Sequence, residues 1–168
     1  MSKKLLFLDI DGVLNSWHYF KNNKTLIDKS ESKKDFKINK WTHLDPDAIK
    51  RLNRLVDLSG VEVIISSTWR LLFSLEEINK MLAFRGATFQ ASNRTPEGYY
   101  RGMSSRTCRG DEIKEFIDNF SEPVDAFVIL DDDNDMDGVS SQLVQTSMNN
   151  GIQDYHIDLC LDKLGIKI

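Results

Sequence analysis

Apolar residues fall in short runs that empty into polar, reactive ones, and the stretches between those runs carry helical spacing. Leu5–Asp9, Val61–Ser66 and Phe127–Leu130 read as strands, and Leu143–Thr146 as a shorter last one. Pro46–Leu58 predicts a helix. Asp45 is placed to cap it, Pro46 sits in its first turn, and Ile49, Leu52, Leu55 and Val56 share one face. Ser74 is placed to cap a second helix through Ile78, Leu82 and Phe84. Asp111 to Phe120 reads as a third, and Asp154–Leu164 as a fourth that stops at Gly165. Strands alternating with helices predict an α/β fold: a Rossmann-like, mainly parallel sheet with helices on both faces. Such sheets bind ligands at the carboxyl ends of their strands. That is where the polar residues fall.

One segment breaks the rhythm. From Phe20 to Trp41 there are seven lysines (Lys21, Lys24, Lys29, Lys33, Lys34, Lys37 and Lys40) against Asp28, Glu31 and Asp35. The segment therefore nets +4, and because the chain carries -4 overall, the remainder carries -8. Trp17, Tyr19, Phe20 and Trp41 flank it. Cations that pair phosphates beside rings that stack bases suit a polyanion; a plainly solvated insertion has the same composition.

The 168 residues are enough for one domain with a sizeable core, and a hydrophobic fraction of 40% with 29% charged residues is ordinary for a globular chain. A net charge of -4 argues against indiscriminate nucleic-acid affinity over the whole surface. Cys108 and Cys160 fit a reducing compartment and form no zinc-type cluster, and His18, His43 and His156 have no metal-like spacing. No apolar run approaches the roughly 20 residues needed to span a bilayer, and no signal-peptide pattern is visible. The expectation is a cytoplasmic protein with no membrane association and no obligate protein partner. A P-loop pattern is absent.

The reactive residues cluster at strand ends. Asp9 and Asp11 are one residue apart where the first strand meets Gly12, so they start out aimed the same way. Paired acids at such a position suit a metal ion and a covalent nucleophile. A second acidic group, Asp131, Asp132, Asp133 and Asp135, follows the Phe127–Leu130 run. Four like charges there repel, and a divalent cation with a preference for hard oxygen ligands, Mg²⁺ or Ca²⁺, removes that cost. Asp133, Asp135, Asp137 and Gly138 mimic the opening of an EF-hand loop. That loop needs a Glu at its twelfth position, where this chain has Val144. Between the acidic groups, Ser66, Ser67, Thr68 and Arg70 end the second strand with donors suited to phosphate oxygens. Arg109 opens the Asp111–Phe120 helix, with Arg106 nearby.

These four motifs, in this order, resemble the haloacid dehalogenase (HAD) superfamily of phosphatases and phosphotransferases. The wording Asp-Gly-Val-Leu-Asn, Ser-Ser-Thr-Trp-Arg, Arg-Gly-Asp-Glu-Ile and Leu-Asp-Asp-Asp is closer still to HAD domains of multidomain RNA-repair proteins. The resemblance implies that Asp9 is the nucleophile and Asp11 the acid–base, a task that needs a carboxyl able to hold a proton. It implies phosphoryl binding by Ser66 or Ser67 and by Arg109 or Arg106; Arg70, a cation at the same strand end, is a further candidate to hold the terminal phosphate. It also implies Mg²⁺ held by Asp9, Asp11 through its backbone carbonyl, and a subset of Asp131, Asp132 and Asp135. The basic segment falls where that superfamily inserts a flap or small cap, here about residues 16–44. The expected activity is Mg²⁺-dependent phosphomonoester hydrolysis through an aspartyl-phosphate, with a 3′-phosphate on an RNA or DNA end as favoured substrate. A small metabolite or nucleotide is the alternative substrate, and a non-catalytic metal- or nucleic-acid-binding module the rival class.

Overall fold

The apolar runs become the middle of a five-stranded sheet. The computed structural model describes residues 2–31, 40–97 and 108–167. Its strands are β1 (Lys3–Leu8), β2 (Glu62–Ile65), β3 (Ala91–Arg94), β4 (Val124–Asp131) and β5 (Leu143–Gln145). They lie in the order β3-β2-β1-β4-β5, and every pair is parallel. Among the described residues the helices are α1 (Trp17–Asn22), α2 (Lys24–Glu31), α3 (Pro46–Ser59), α4 (Leu75–Phe84), α5 (Arg109–Asp118) and α6 (Asp154–Lys163). The expected α/β, Rossmann-like architecture is the one observed.

Each residue from Leu5 to Leu8 is fully buried, because both sides of the sheet are covered. Leu6 and Leu8 join the larger core with Ile49, Leu52, Leu82 and Ile157, from α3, α4 and α6. Leu5 and Phe7 face the other way, onto Ile113 and Phe116 of α5. The chain runs outward from β1 through β2 and β3, then returns to place β4 on the other side of β1. Strand order therefore reverses between β1 and β4, which is where open α/β sheets leave a crevice for ligand.

Helix signals act locally, the expected Asp45 and Ser74 caps among them. Asp45 accepts from the Asp47 amide at 2.9 Å to start α3, and Gly60 ends it at φ +64°. Ser74 and Glu77 form a reciprocal capping box at the start of α4. Three regions of the chain differ from the sequence expectation. α5 begins at Arg109 and ends at Asp118, where the pattern predicted Asp111 to Phe120; extended Cys108 precedes it. β3 has no apolar run to announce it, because it is an edge strand with Ala91 buried and three exposed residues. The segment after β1 holds α1, α2 and a 3-10 turn at Lys40–His43, none of which its polar composition predicted. α1 is tied down through Tyr19, whose hydroxyl donates to the Thr42 carbonyl and accepts from Arg85 at 2.7 Å. Lys33, Lys34, Lys37 and Arg106 lie outside the described residues. No helix among the described residues is long and apolar enough to cross a membrane.

Candidate active site at the carboxyl edge of the sheet

Strand register lines up the polar residues that leave the sheet. Leu8 pairs with Ile65 on one side and Leu130 on the other, so Ser66, Asp9 and Asp131 end three adjacent strands side by side. The backbone closes the row: Asp9 N donates to Leu130 O at 2.9 Å, and Ser66 N to Leu8 O at 2.8 Å. Asp9 thus stands between a hydroxyl and a second carboxylate, each about 5 Å away by the spacing of neighbouring strands. All three residues are buried.

Within this row the hydrogen-bonding is incomplete in two places. Among the described residues the Ser66 hydroxyl and the Asp131 Oδ2 atom are buried with no hydrogen-bond partner, and the Arg109 Nε faces that oxygen from 3.8 Å away. Ser67, by contrast, is occupied: its hydroxyl accepts from the Trp69 amide at 3.4 Å and hydrogen-bonds the Asp9 carboxylate. Buried polar atoms are nearly always paired, so the orphaned two mark where a ligand belongs.

Gly12 turns the chain away after Asp9 and Asp11, at φ +71°. It has a second reason to lack a side chain. A Cβ there would lie 2.4 Å from Cγ of Asp132, so only glycine lets the β1 loop and the β4 loop approach. Thr146 ties the same two loops, its hydroxyl donating to Gly12 O at 2.7 Å and its amide to Asp131 O at 2.9 Å. As a result Asp9, Asp131 and Asp132 each present a carboxylate oxygen within 4.8 Å of the others. The Asp11 side chain lies outside this trio, accepting from Asn15 Nδ2 at 2.7 Å and from Trp69 Nε1 at 2.9 Å. Asp135 lies outside it too, because its Oδ2 accepts from the Arg109 amide at 3.2 Å at the start of α5.

Residues 5–157 match the family model of the HAD domain in Swiss Army Knife RNA repair proteins. The chain belongs to this family. No curated protein matches it. Membership supports phosphatase-type hydrolysis in general.

In this HAD domain the acids are held in a dry, mutually repulsive arrangement. Burial raises the pKa of Asp9 to about 6, against the pull of Arg109 and Ser67. Burial and the neighbouring charge of Asp9 push Asp131 to about 8. Asp132 is raised as well, chiefly by burial. Arg109 is their counterion: its guanidinium donates to the Ser66 carbonyl and lies 3.7 Å from Asp9 and 3.8 Å from Asp131. Burial disfavours its charge, but Asp9 and Asp131 outweigh that and its pKa is raised. One guanidinium cannot neutralise three carboxylates. The close trio, with an Asp131 oxygen that makes no hydrogen bond, fits a hard divalent cation, and Mg²⁺, the usual HAD metal, suits an all-oxygen donor set.

Arg70 is brought close to this centre but turned inward. It donates to Ser67 O at 2.8 Å and to Glu112 Oε2 at 2.6 Å, bracing the turn after β2 against α5. Sequence reasoning assigned no part to Asn15, Trp69 or Thr146, which hold the loops that carry the acids. Asn15 stands in the Asp-Gly-Val-Leu-Asn run, three residues after Gly12, and that spacing was the available signal: its Oδ1 accepts from Gly12 N at 3.0 Å. Trp69 and Thr146 act across the fold, and nothing local announces them.

Proposed function

We propose that the protein is a Mg²⁺-dependent phosphomonoesterase that works through an aspartyl-phosphate on Asp9 and removes a terminal 3′-phosphate from a nucleic acid. The supporting observation is the row itself: a buried carboxylate flanked by a hydroxyl and a carboxylate oxygen that make no hydrogen bond, with a guanidinium shared between the two acids. In the first step an Asp9 oxygen bonds phosphorus, the ester P–O bond breaks, and the departing oxygen takes a proton from Asp11. In the second, water attacks phosphorus and gives its proton to Asp11. The bond to Asp9 then breaks and inorganic phosphate leaves. Ser66 and Arg109 hold phosphoryl oxygens as charge moves among them. Asp9, Asp131 and Asp132 would hold Mg²⁺, which supplies neutralising charge where carboxylate meets phosphate.

Two features favour a nucleic-acid end. The family is that of a domain in RNA repair proteins. In addition, Trp17 is 59% exposed, only two residues past Asn15, whose amide touches Asp11. An exposed indole on the segment that follows Asp11 suits base stacking. Lys21 and Lys24 are exposed on the helices that follow.

The test is phosphate release from a 3′-phosphorylated oligonucleotide, mononucleotides and sugar phosphates at two salt concentrations. The oligonucleotide is expected to be fastest, with an advantage that shrinks as salt rises. EDTA and Asp9→Asn are expected to abolish turnover. Equal rates on all substrates without a salt effect would remove the nucleic-acid assignment and leave a general phosphatase. Wild-type turnover by Asp9→Asn would overturn the nucleophile, and binding without any turnover would favour a non-catalytic module.

A further inference from the structure

Both oxygens of one carboxylate in the site are already spoken for, by groups that play no part in the two steps above. Asn15 Nδ2 donates to Asp11 Oδ1 at 2.7 Å, and Trp69 Nε1 donates to Asp11 Oδ2 at 2.9 Å. A single bond leaves a carboxylate free to swing about the axis through its donor. Two bonds to different oxygens fix its plane, while each oxygen keeps a second lone-pair direction for a proton.

Both donors are themselves immobilised. Asn15 is 1% exposed and its amide oxygen accepts from Gly12 N, which sets the amide's orientation. Trp69 is 4% exposed and packs on Phe73 with ring centroids 5.6 Å apart. The Lys40 ammonium lies over its ring, 5.6 Å from the centroid. A buried indole N–H has to find some acceptor. Here it reaches across 58 positions of sequence to Asp11 rather than to a carbonyl of its own turn.

We propose that Trp69 and Asn15 are positioning residues that clamp the Asp11 carboxyl in the orientation from which it passes a proton to the leaving oxygen. The clamp rests on the assignment of Asp11 as acid–base. Precise placement matters because general acid catalysis contributes roughly 10²–10⁴-fold and depends on hydrogen-bond reach. The contribution is largest where the leaving oxygen needs a proton. It nearly vanishes for an aryl ester whose leaving group departs as a stable anion.

The readout is therefore a ratio: kcat/KM on p-nitrophenyl phosphate against kcat/KM on an alkyl ester. The alkyl ester is the faster of a 3′-phosphorylated oligonucleotide and a nucleoside 5′-monophosphate. Asp11→Asn sets the full size of the effect. Trp69→Phe, which keeps a ring and deletes the N–H, is expected to lose roughly tenfold or more on the alkyl ester and little on the aryl one. Asn15→Ser is expected to move the ratio the same way, and it carries the test if Trp69→Phe does not fold. Partial unfolding lowers both rates together and leaves the ratio unchanged. A selective loss in Asp11→Asn with proportional losses in Trp69→Phe and Asn15→Ser would overturn the clamp and leave Asp11 its role. No selective loss in Asp11→Asn, or a wild type inactive on every ester, would overturn the acid–base assignment and the clamp with it.

Discussion

Ser66 carries a hydroxyl that is fully buried and makes no hydrogen bond, whereas Ser67 beside it is committed to the Trp69 amide and to Asp9. A buried hydroxyl without a partner costs about 1–3 kcal/mol. Its retention is explained if a phosphoryl oxygen fills the vacancy during turnover. Ser66→Ala should therefore separate function from stability. kcat/KM is expected to fall about a hundredfold to a thousandfold, the cost of one lost donor to an oxygen that gains charge in the transition state. The melting temperature of the unliganded protein should stay level or rise. A variant that melted well below wild type would show that the hydroxyl is structurally paired, and kinetics alongside a thermal melt decide between the two.

At the scale of elements, α5 and the acidic loop are fitted to one another through Gly110. Alanine is the better helix former, so propensity alone expects a gain from Gly110→Ala. A Cβ at that position would lie 2.6 Å from the Asp137 carbonyl oxygen and 2.7 Å from its amide nitrogen, both backbone atoms that cannot swing aside. Gly110→Ala should destabilise by about 1–3 kcal/mol. Pushing α5 away also withdraws Arg109 from Asp9 and Asp131, so activity should fall further than stability alone accounts for. Denaturant unfolding and kcat/KM at a temperature where the variant is fully folded measure the two effects. Unchanged stability would mean that the loop yields.

Across the whole molecule the buried acids link folding to pH. Asp9 and Asp131 have pKa values raised to about 6 and about 8 in the folded chain, from an unfolded value of 3.8. Between those limits the folded state binds more protons than the unfolded one. The stability of the metal-free protein therefore falls as pH rises from about 4 towards 8. Melting curves in EDTA should show this decline, and Asp131→Asn should flatten it. Mg²⁺ should stabilise the wild type more at pH 8 than at pH 5; wherever it stands at a hundredfold excess over its dissociation constant, the stabilisation is about 2.7 kcal/mol. A pH-independent melting temperature in EDTA, or equal stabilisation of Asp131→Asn by Mg²⁺, would contradict this account.

How far these properties were legible in the chain differs by element. Leu5–Leu8 announced a buried strand because four consecutive apolar residues can all be satisfied only under two covered faces. Asp45 and Ser74 announced helix starts and Gly165 a helix end because capping is a local problem of hydrogen bonds and backbone angles. Even the reactive residues were visible as types at strand ends. β3 was not legible, since an exposed edge strand gains its order from backbone pairing with β2 and needs no apolar run. The choice between equals was not legible either. Ser66 and Ser67, or Asp131, Asp132 and Asp135, are indistinguishable by spacing. They separate only when Leu8 is registered with Ile65 and Leu130, when Gly12 admits Asp132, and when α5 takes Asp135 as its own partner. Local sequence determines what each segment prefers, because propensity, capping and burial act within a few residues. Which oxygen faces which depends on strand register and loop contact between segments far apart in the chain, and only the folded chain decides that.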